Sequence, residues 1–168
     1  MKLEEARESF IQEWGTLGSK WGINRTMAQV HALLLIAPEA QSADNIMESL
    51  DISRGNANMN LRALIDWGLI RKVRKPGERK EFFYAEKDLW KVARQVIKER
   101  KRRELEPIRM VLNELKEVEV DSPEAEEFQK MMAGLSKFSN TADSALNRMI
   151  ASEQKWMFDT FMKFLGAK

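Results

Sequence analysis

The stretch from Ser42 to Tyr84, SADNIMESLDISRGNANMNLRALIDWGLIRKVRKPGERKEFFY, decides the fold. Ser42 is placed to cap a helix over ADNIMESL, in which Ala43, Ile46, Met47 and Leu50 share the inner face. After a turn at Asp51-Ile52, Ser53 caps a second helix. In that helix Ala57, Leu61, Leu64 and Ile65 stand at i, i+4, i+7 and i+8 and so face a core. Trp67-Gly68 ends it, with Gly68 as a left-handed stop. LIRKVRK and KEFFYAE then read as two short strands around the turn Pro76-Gly77-Glu78-Arg79. Helix, tight turn, helix and basic hairpin is the order of a winged helix-turn-helix.

At about 100° per residue, the face of the second helix opposite its core stripe holds Gly55, Asn56, Met59 and Arg62, with Ser53, Arg54 and Asn58 at its start and border. Asparagine matches adenine and arginine matches guanine in bidentate contacts, a methionine can lie on a thymine methyl, and a glycine lets backbone approach phosphate. Three asparagines in five positions exceed what a helix cap needs, so this face reads as a base-reading surface. The hairpin gathers Arg71, Lys72, Arg74, Lys75, Arg79 and Lys80. Of these, Arg74, Lys75, Arg79 and Lys80 are the expected backbone or minor-groove contacts. Protection of a strand edge needs fewer cations.

Charge follows the same boundaries. The formal net charge of the 168 residues is only +2, yet Ser53 to Arg109 carries 17 basic against 8 acidic residues. The flanks are mildly acidic, with 4 basic and 8 acidic residues before this segment and 7 and 10 after it. A positive segment between acidic flanks is the footprint of a polyanion-binding face. With 43% hydrophobic and 32% charged residues the composition is that of an ordinary globular protein. No apolar run approaches the ~20 residues of a membrane helix. The amphipathic start MKLEEARESF lacks a secretory plan, so a cytoplasmic protein without membrane contact is expected.

The absence of cysteine excludes disulfides, thiolate nucleophiles and Cys-based zinc sites. His31, the single histidine, lies in the apolar run MAQVHALLLIA and reads as a satisfied or edge-of-core residue. No Gly-rich phosphate loop, His-Glu zinc motif or nucleophile with a base can be assembled, so no enzyme, cofactor or metal site is expected.

Around the winged segment, Leu3, Ala6, Phe10, Trp14, Leu17 and Trp21 recur at helical spacing, with Gly15, Gly18 and Gly22 weakening the end of that helix. Asn24 or Thr26 caps a buried helix that stops before Pro38. Asp88 caps another, with Leu89, Val92, Ala93, Val96 and Ile97 inward, which runs through KERKRR until Pro107 kinks or breaks it. In that run Glu99 and Glu104 are helix neighbours of the cations, so it reads as a solvated face. Beyond it, Ile108, Val111, Leu112, Leu115 and Val118 continue an apolar stripe. Ser122-Pro123 opens a long helix whose apolar stripe is Phe128, Met131, Met132, Leu135, Phe138, Ala142, Ala145, Met149 and Ile150. Trp156, Met157, Phe161, Met162 and Leu165 follow. Such helices require a second subunit to cover them.

The motifs WGINRT (21–26), LDISRGNANMNLRALIDWG (50–68) and the wing PGERKE (76–81) resemble the GbsR-type branch of the MarR superfamily of winged helix-turn-helix transcriptional regulators. The resemblance spans Trp21 to Pro107. It implies a homodimer on a pseudo-palindromic double-stranded DNA operator, usually acting as a repressor. Some relatives respond to quaternary ammonium osmolytes, for which Trp21 and Trp90 are the expected aromatic contacts. The expected architecture is mainly α with a small β-wing: an N-terminal helix over 1–22 that joins the dimerisation region, a winged domain over 23–88, and a helical dimerisation and effector region over 89–168. The rival reading is a winged-helix module that binds protein without DNA specificity.

Overall fold

A computed structural model describes residues 1–152 and divides the chain into two compact units, Met1–Val92 and Ala93 onward. The expected last segment, Trp156 to Leu165, lies outside the described residues. The first unit contains α1 (Leu3–Lys20), α2 (Arg25–Ile36), β1 (Gln41–Ser42), α3 (Ala43–Leu50), α4 (Arg54–Asp66), β2 (Ile70–Val73) and β3 (Phe82–Ala85). α5 (Leu89–Arg100) begins at its end. The second unit continues through a π-helical turn (Lys101–Leu105), α6 (Glu106–Leu115) and α7 (Pro123–Ala151). The fold is mainly helical with one small antiparallel sheet, the winged-helix arrangement.

Side chains start the helices where the sequence offers them. Asn24 Oδ1 accepts the Met27 N–H at 3.0 Å, Ser42 Oγ the Asn45 N–H at 3.2 Å, and Ser122 Oγ the Ala125 N–H at 3.2 Å. α2 is the central core helix. Its Val30, Ala32 and Leu34 meet Ile46 of α3 and Leu61 and Leu64 of α4 in a region where all six are at most 1% exposed. Fully burying a leucine or isoleucine is worth roughly 1.5–3 kcal/mol, so these positions hold the three helices together. His31 is buried in the same helix as a core histidine, and its Nε2 has no hydrogen-bond partner among the described residues.

α1 lies along α2 through a different face from the expected stripe. Ile11, Gly15 and Gly18 are buried, whereas Leu3 and Leu17 are exposed and Phe10 and Trp14 stack half-buried with ring centroids 5.3 Å apart. A Cβ at Gly18 would stand 2.6 Å from Ala28 Cβ, and one at Gly15 2.6 Å from Gln29 Cγ. The glycines are therefore the contact surface of α1, set by close backbone approach, and not a weakened helix end. α1 thus belongs to the same compact unit as the winged region, which ends at Val92, four residues past the expected edge at 88.

In the sheet, order β1-β3-β2, β2 pairs antiparallel with β3 (Ile70 opposite Ala85, Val73 opposite Phe82), and the two-residue β1 pairs with β3 on its other side. β1 was not expected, because two residues carry no readable alternation. At Pro107 the helix does not break. A proline ring clashes with the carbonyl four residues back, and the turn Lys101–Leu105 widens to π-helix to accommodate it. The cations of this turn are more tied down than a solvated face. Glu99 is buried and takes Arg102 at 2.7 Å and Arg103 at 3.5 Å, which holds its carboxyl below the usual range. Lys101 joins Glu106 at 2.9 Å and Asp143 of α7 at 3.0 Å.

Candidate nucleic-acid interface

α4 follows α3 through Asp51, the single described non-glycine residue with positive φ, at 49°. Its left-handed backbone ends α3 and swings the chain into Ser53, whose Oγ accepts the Asn56 N–H at 3.2 Å and starts α4. The helix ends in a Schellman arrangement: Gly68, φ 69°, donates to Ile65 O at 2.8 Å and Leu69 to Leu64 O at 3.0 Å. Ala57, Asn60, Leu61 and Leu64 form its buried side. Asn60 thus joins the core side, which spacing alone gave to Ala57, Leu61, Leu64 and Ile65, and Ile65 itself is only half-buried. Opposite them, Ser53, Arg54, Gly55, Asn58, Met59 and Arg62 are exposed, and nothing stands within 4 Å of where a Gly55 Cβ would be.

Asn56 departs from its expected place. It is half-buried, and the Asn60 amide donates to its backbone carbonyl at 2.9 Å and to its Oδ1 at 2.7 Å. With the acceptor oxygen engaged inside the helix, Asn56 is poorly disposed for a bidentate adenine contact; Asn58, exposed, is better disposed.

The wing turns at Lys75-Pro76-Gly77-Glu78, where the Glu78 N–H donates to Lys75 O at 3.1 Å and Gly77 has φ 81°, a type II turn. Arg74 and Arg79 are exposed and make no ion pair among the described residues. Lys75 lies 4.7 Å from the Phe82 ring centroid and 3.3 Å from Glu39, and Lys72 is 2.8 Å from Glu81. Lys80 reaches Asp44 at 2.9 Å while the other oxygen of Asp44 takes Arg54 at 3.3 Å. One carboxylate in the first turn of α3 therefore joins the wing to the start of α4. The hydrogen bond from Lys80 lowers the Asp44 pKa, and the same bond raises that of Lys80.

Three residues that hold this unit together escaped the sequence reading. Asp44 resembles an ordinary acidic residue at a helix N-terminus. Asn60 looks like one more polar residue of an Asn-rich run. Lys87 donates to the carbonyls of Leu34 at 2.8 Å, Leu35 at 2.6 Å and Ala37 at 2.8 Å, closing the end of α2 and anchoring the strand that returns from the wing. More than fifty residues separate Lys87 from Leu34, so spacing carries no hint of this bond.

Of the expected effector residues, Trp21 is exposed at the end of α1 and Trp90 is half-buried in the first turn of α5. A groove of about 470 Å³ lined by Glu4, Glu8, Asp51 and residues of α1, α2 and α3 contains neither, nor any other aromatic side chain. No described helix is long and apolar enough to cross a membrane, and no described cluster of His, Cys, Asp or Glu could hold a metal ion.

No family profile matches the chain, and no curated protein matches it. Among solved structures it is similar to a crystal structure described as that of a transcriptional regulator, with 21% sequence identity and a TM-score of 0.60. The similarity covers 85% of this chain and 97% of that one. At that identity the likeness establishes a shared fold.

Proposed function

We propose that the protein is a sequence-specific double-stranded DNA-binding transcriptional regulator. The observation that carries this reading is the Asp44 bridge from Arg54 at the start of α4 to Lys80 of the wing, with Gly55, Asn58, Met59 and Arg62 exposed on α4 and Arg74 and Arg79 exposed on the wing. The base-reading side chains sit on a rigid helix and the cations flank it, the division of labour between specificity and affinity that duplex recognition uses. The charge surplus of the segment supports it, as does the fold shared with a transcriptional regulator.

In this reading the protein is a homodimer that represses from a pseudo-palindromic operator, its α4 helices entering major grooves about 34 Å apart. The GbsR-like motifs support an osmolyte-type effector, with the exposed ring of Trp21 and the half-buried Trp90 as its aromatic contacts. The test is a salt titration of binding to promoter fragments from the gene's own neighbourhood. Affinity should fall steeply with salt. Arg74→Ala should weaken all fragments alike and flatten the salt slope by about 1, whereas Asn58→Ala or Arg62→Ala should change base preference at a cost of about 1–3 kcal/mol. Failure to bind any fragment at low salt would overturn the reading in favour of a protein-binding module.

A further inference from the structure

α7 carries two adjacent seams of heptad spacing. Ala125, Gln129, Met132, Ser136, Ser139, Asp143 and Leu146 form one. Its buried members are polar and meet the neighbouring elements of their own unit: Ser136 donates to Asn113 of α6 at 2.9 Å, and Asp143 takes Arg109 of α6 at 2.9 Å and Lys101 at 3.0 Å. The other seam is Phe128, Met131, Leu135, Phe138, Ala142 and Ala145, with Met149 as a seventh member. Four of its large side chains lie open, Phe138 at 74% exposure. A helix of 29 residues that spends its polar seam inside its own subunit and presents its apolar seam outward is built to be covered.

We infer that a second copy of the chain covers this seam through an antiparallel α7–α7 coiled coil, with the two-fold axis passing between Ser136 and Lys137. The inference rests on the dimer of the proposed function and specifies its interface. Size complementarity selects the direction. In the antiparallel pairing Phe128 faces the partner's Ala145, Met131 faces the partner's Ala142, and Leu135 faces the partner's Phe138. Large meets small in the outer layers and the two largest central residues meet at the axis. A parallel pair would stack Phe128 on itself and Ala142 and Ala145 on themselves, crowding one end and leaving the other hollow.

Charge selects the register. In this pairing Glu127 flanks the seam opposite the partner's Arg148, twice by symmetry, and Gly134 meets the partner's Thr141 without crowding. Sliding the helices by one heptad puts Arg148 opposite the partner's Gly134, or Glu127 opposite the partner's Thr141, and forfeits both ion pairs. Glu127 also lies 3.6 Å from Lys130 in its own helix, an exposed pair that the dimer would rearrange at little cost.

The cysteine-free sequence makes the test direct. Full-length Met131→Cys and Ala142→Cys chains, mixed and mildly oxidised, should form the mixed disulfide-linked dimer, and neither variant should cross-link to itself. Independently, Glu127→Arg or Arg148→Glu should raise the dimer dissociation constant about two- to fivefold per broken pair, and the double reversal should restore it. Helicity measured on each variant confirms folding. Self-cross-linking of each single variant would overturn the antiparallel direction. A dimer that yields no cross-link and ignores both charge changes would overturn this interface while leaving the dimer intact. A monomeric native chain would overturn both.

Discussion

At the residue scale, His31 ties the core to pH. Burial, and then the nearby charge of Lys87, lower its pKa from 6.5 to about 4. The folded state thus keeps the imidazole neutral, while the unfolded chain takes up a proton below about 6.5. The unfolded state binds more protons between those values, so stability declines as pH falls from about 6.5 towards about 4, by roughly 3 kcal/mol in total. Urea unfolding at pH 7 and pH 4 should show this loss in the native protein and a much smaller one in His31→Leu. Asp44 and Glu99 act in a lower window: their folded pKa values are depressed, so their contribution is present above the unfolded carboxylate value and is lost as pH falls below it. That acid limb should survive in the His31 variant. The asparagines of α4 show how far a residue type can be read from sequence. Their number signalled a polar, groove-facing helix start, but which of them is committed internally depends on the 2.7 Å bond from Asn60 to Asn56.

At the scale of elements, two contacts determine how α1, α4 and the wing are held. Asp44 joins α3, α4 and the wing by salt bridges to Arg54 and Lys80, and all three groups are exposed. DNA phosphates would have to replace this carboxylate to engage both cations. Asp44→Asn is therefore expected to strengthen binding at all sequences and to steepen its salt dependence by about 1–2, measured as the slope of log affinity against log salt. A weaker complex would instead mean that the bridge positions the wing. The second contact is the glycine seam of α1. Gly18→Ala gains up to about 1 kcal/mol of helix propensity but forces α1 away from Ala28, so a net loss of about 1–2 kcal/mol in thermal or chemical unfolding is expected. Sequence periodicity pointed to Leu3, Phe10, Trp14 and Leu17 because they are apolar. Backbone proximity, which has no hydropathy signature, decided otherwise.

At the scale of the whole molecule, the division at Val92 separates a unit with its own core from a helical unit whose interior seam is polar and whose outer faces are apolar. A fragment spanning residues 1–92 should unfold cooperatively on its own and stay monomeric. On the proposed function it should bind DNA with about half the salt slope of the full chain, since a monomer neutralises half the phosphates of the proposed dimer. Sedimentation and a salt titration of the fragment check both statements. A fragment that dimerised would move the interface to α1.

The order of elements, the caps at Asn24, Ser42, Ser53 and Ser122, the stop at Gly68 and the outward face of α4 were legible in the chain, because each depends on neighbours within a turn or two. The two-residue β1, the π-helical turn before Pro107, the glycine contact of α1, the Asn60–Asn56 bond and the three-carbonyl anchor of Lys87 were decided by tertiary structure. Most of these depend on which distant or sterically opposed groups are brought to the same place. Local propensity reads capping and periodicity; it has no access to the distance between Lys87 and the end of α2.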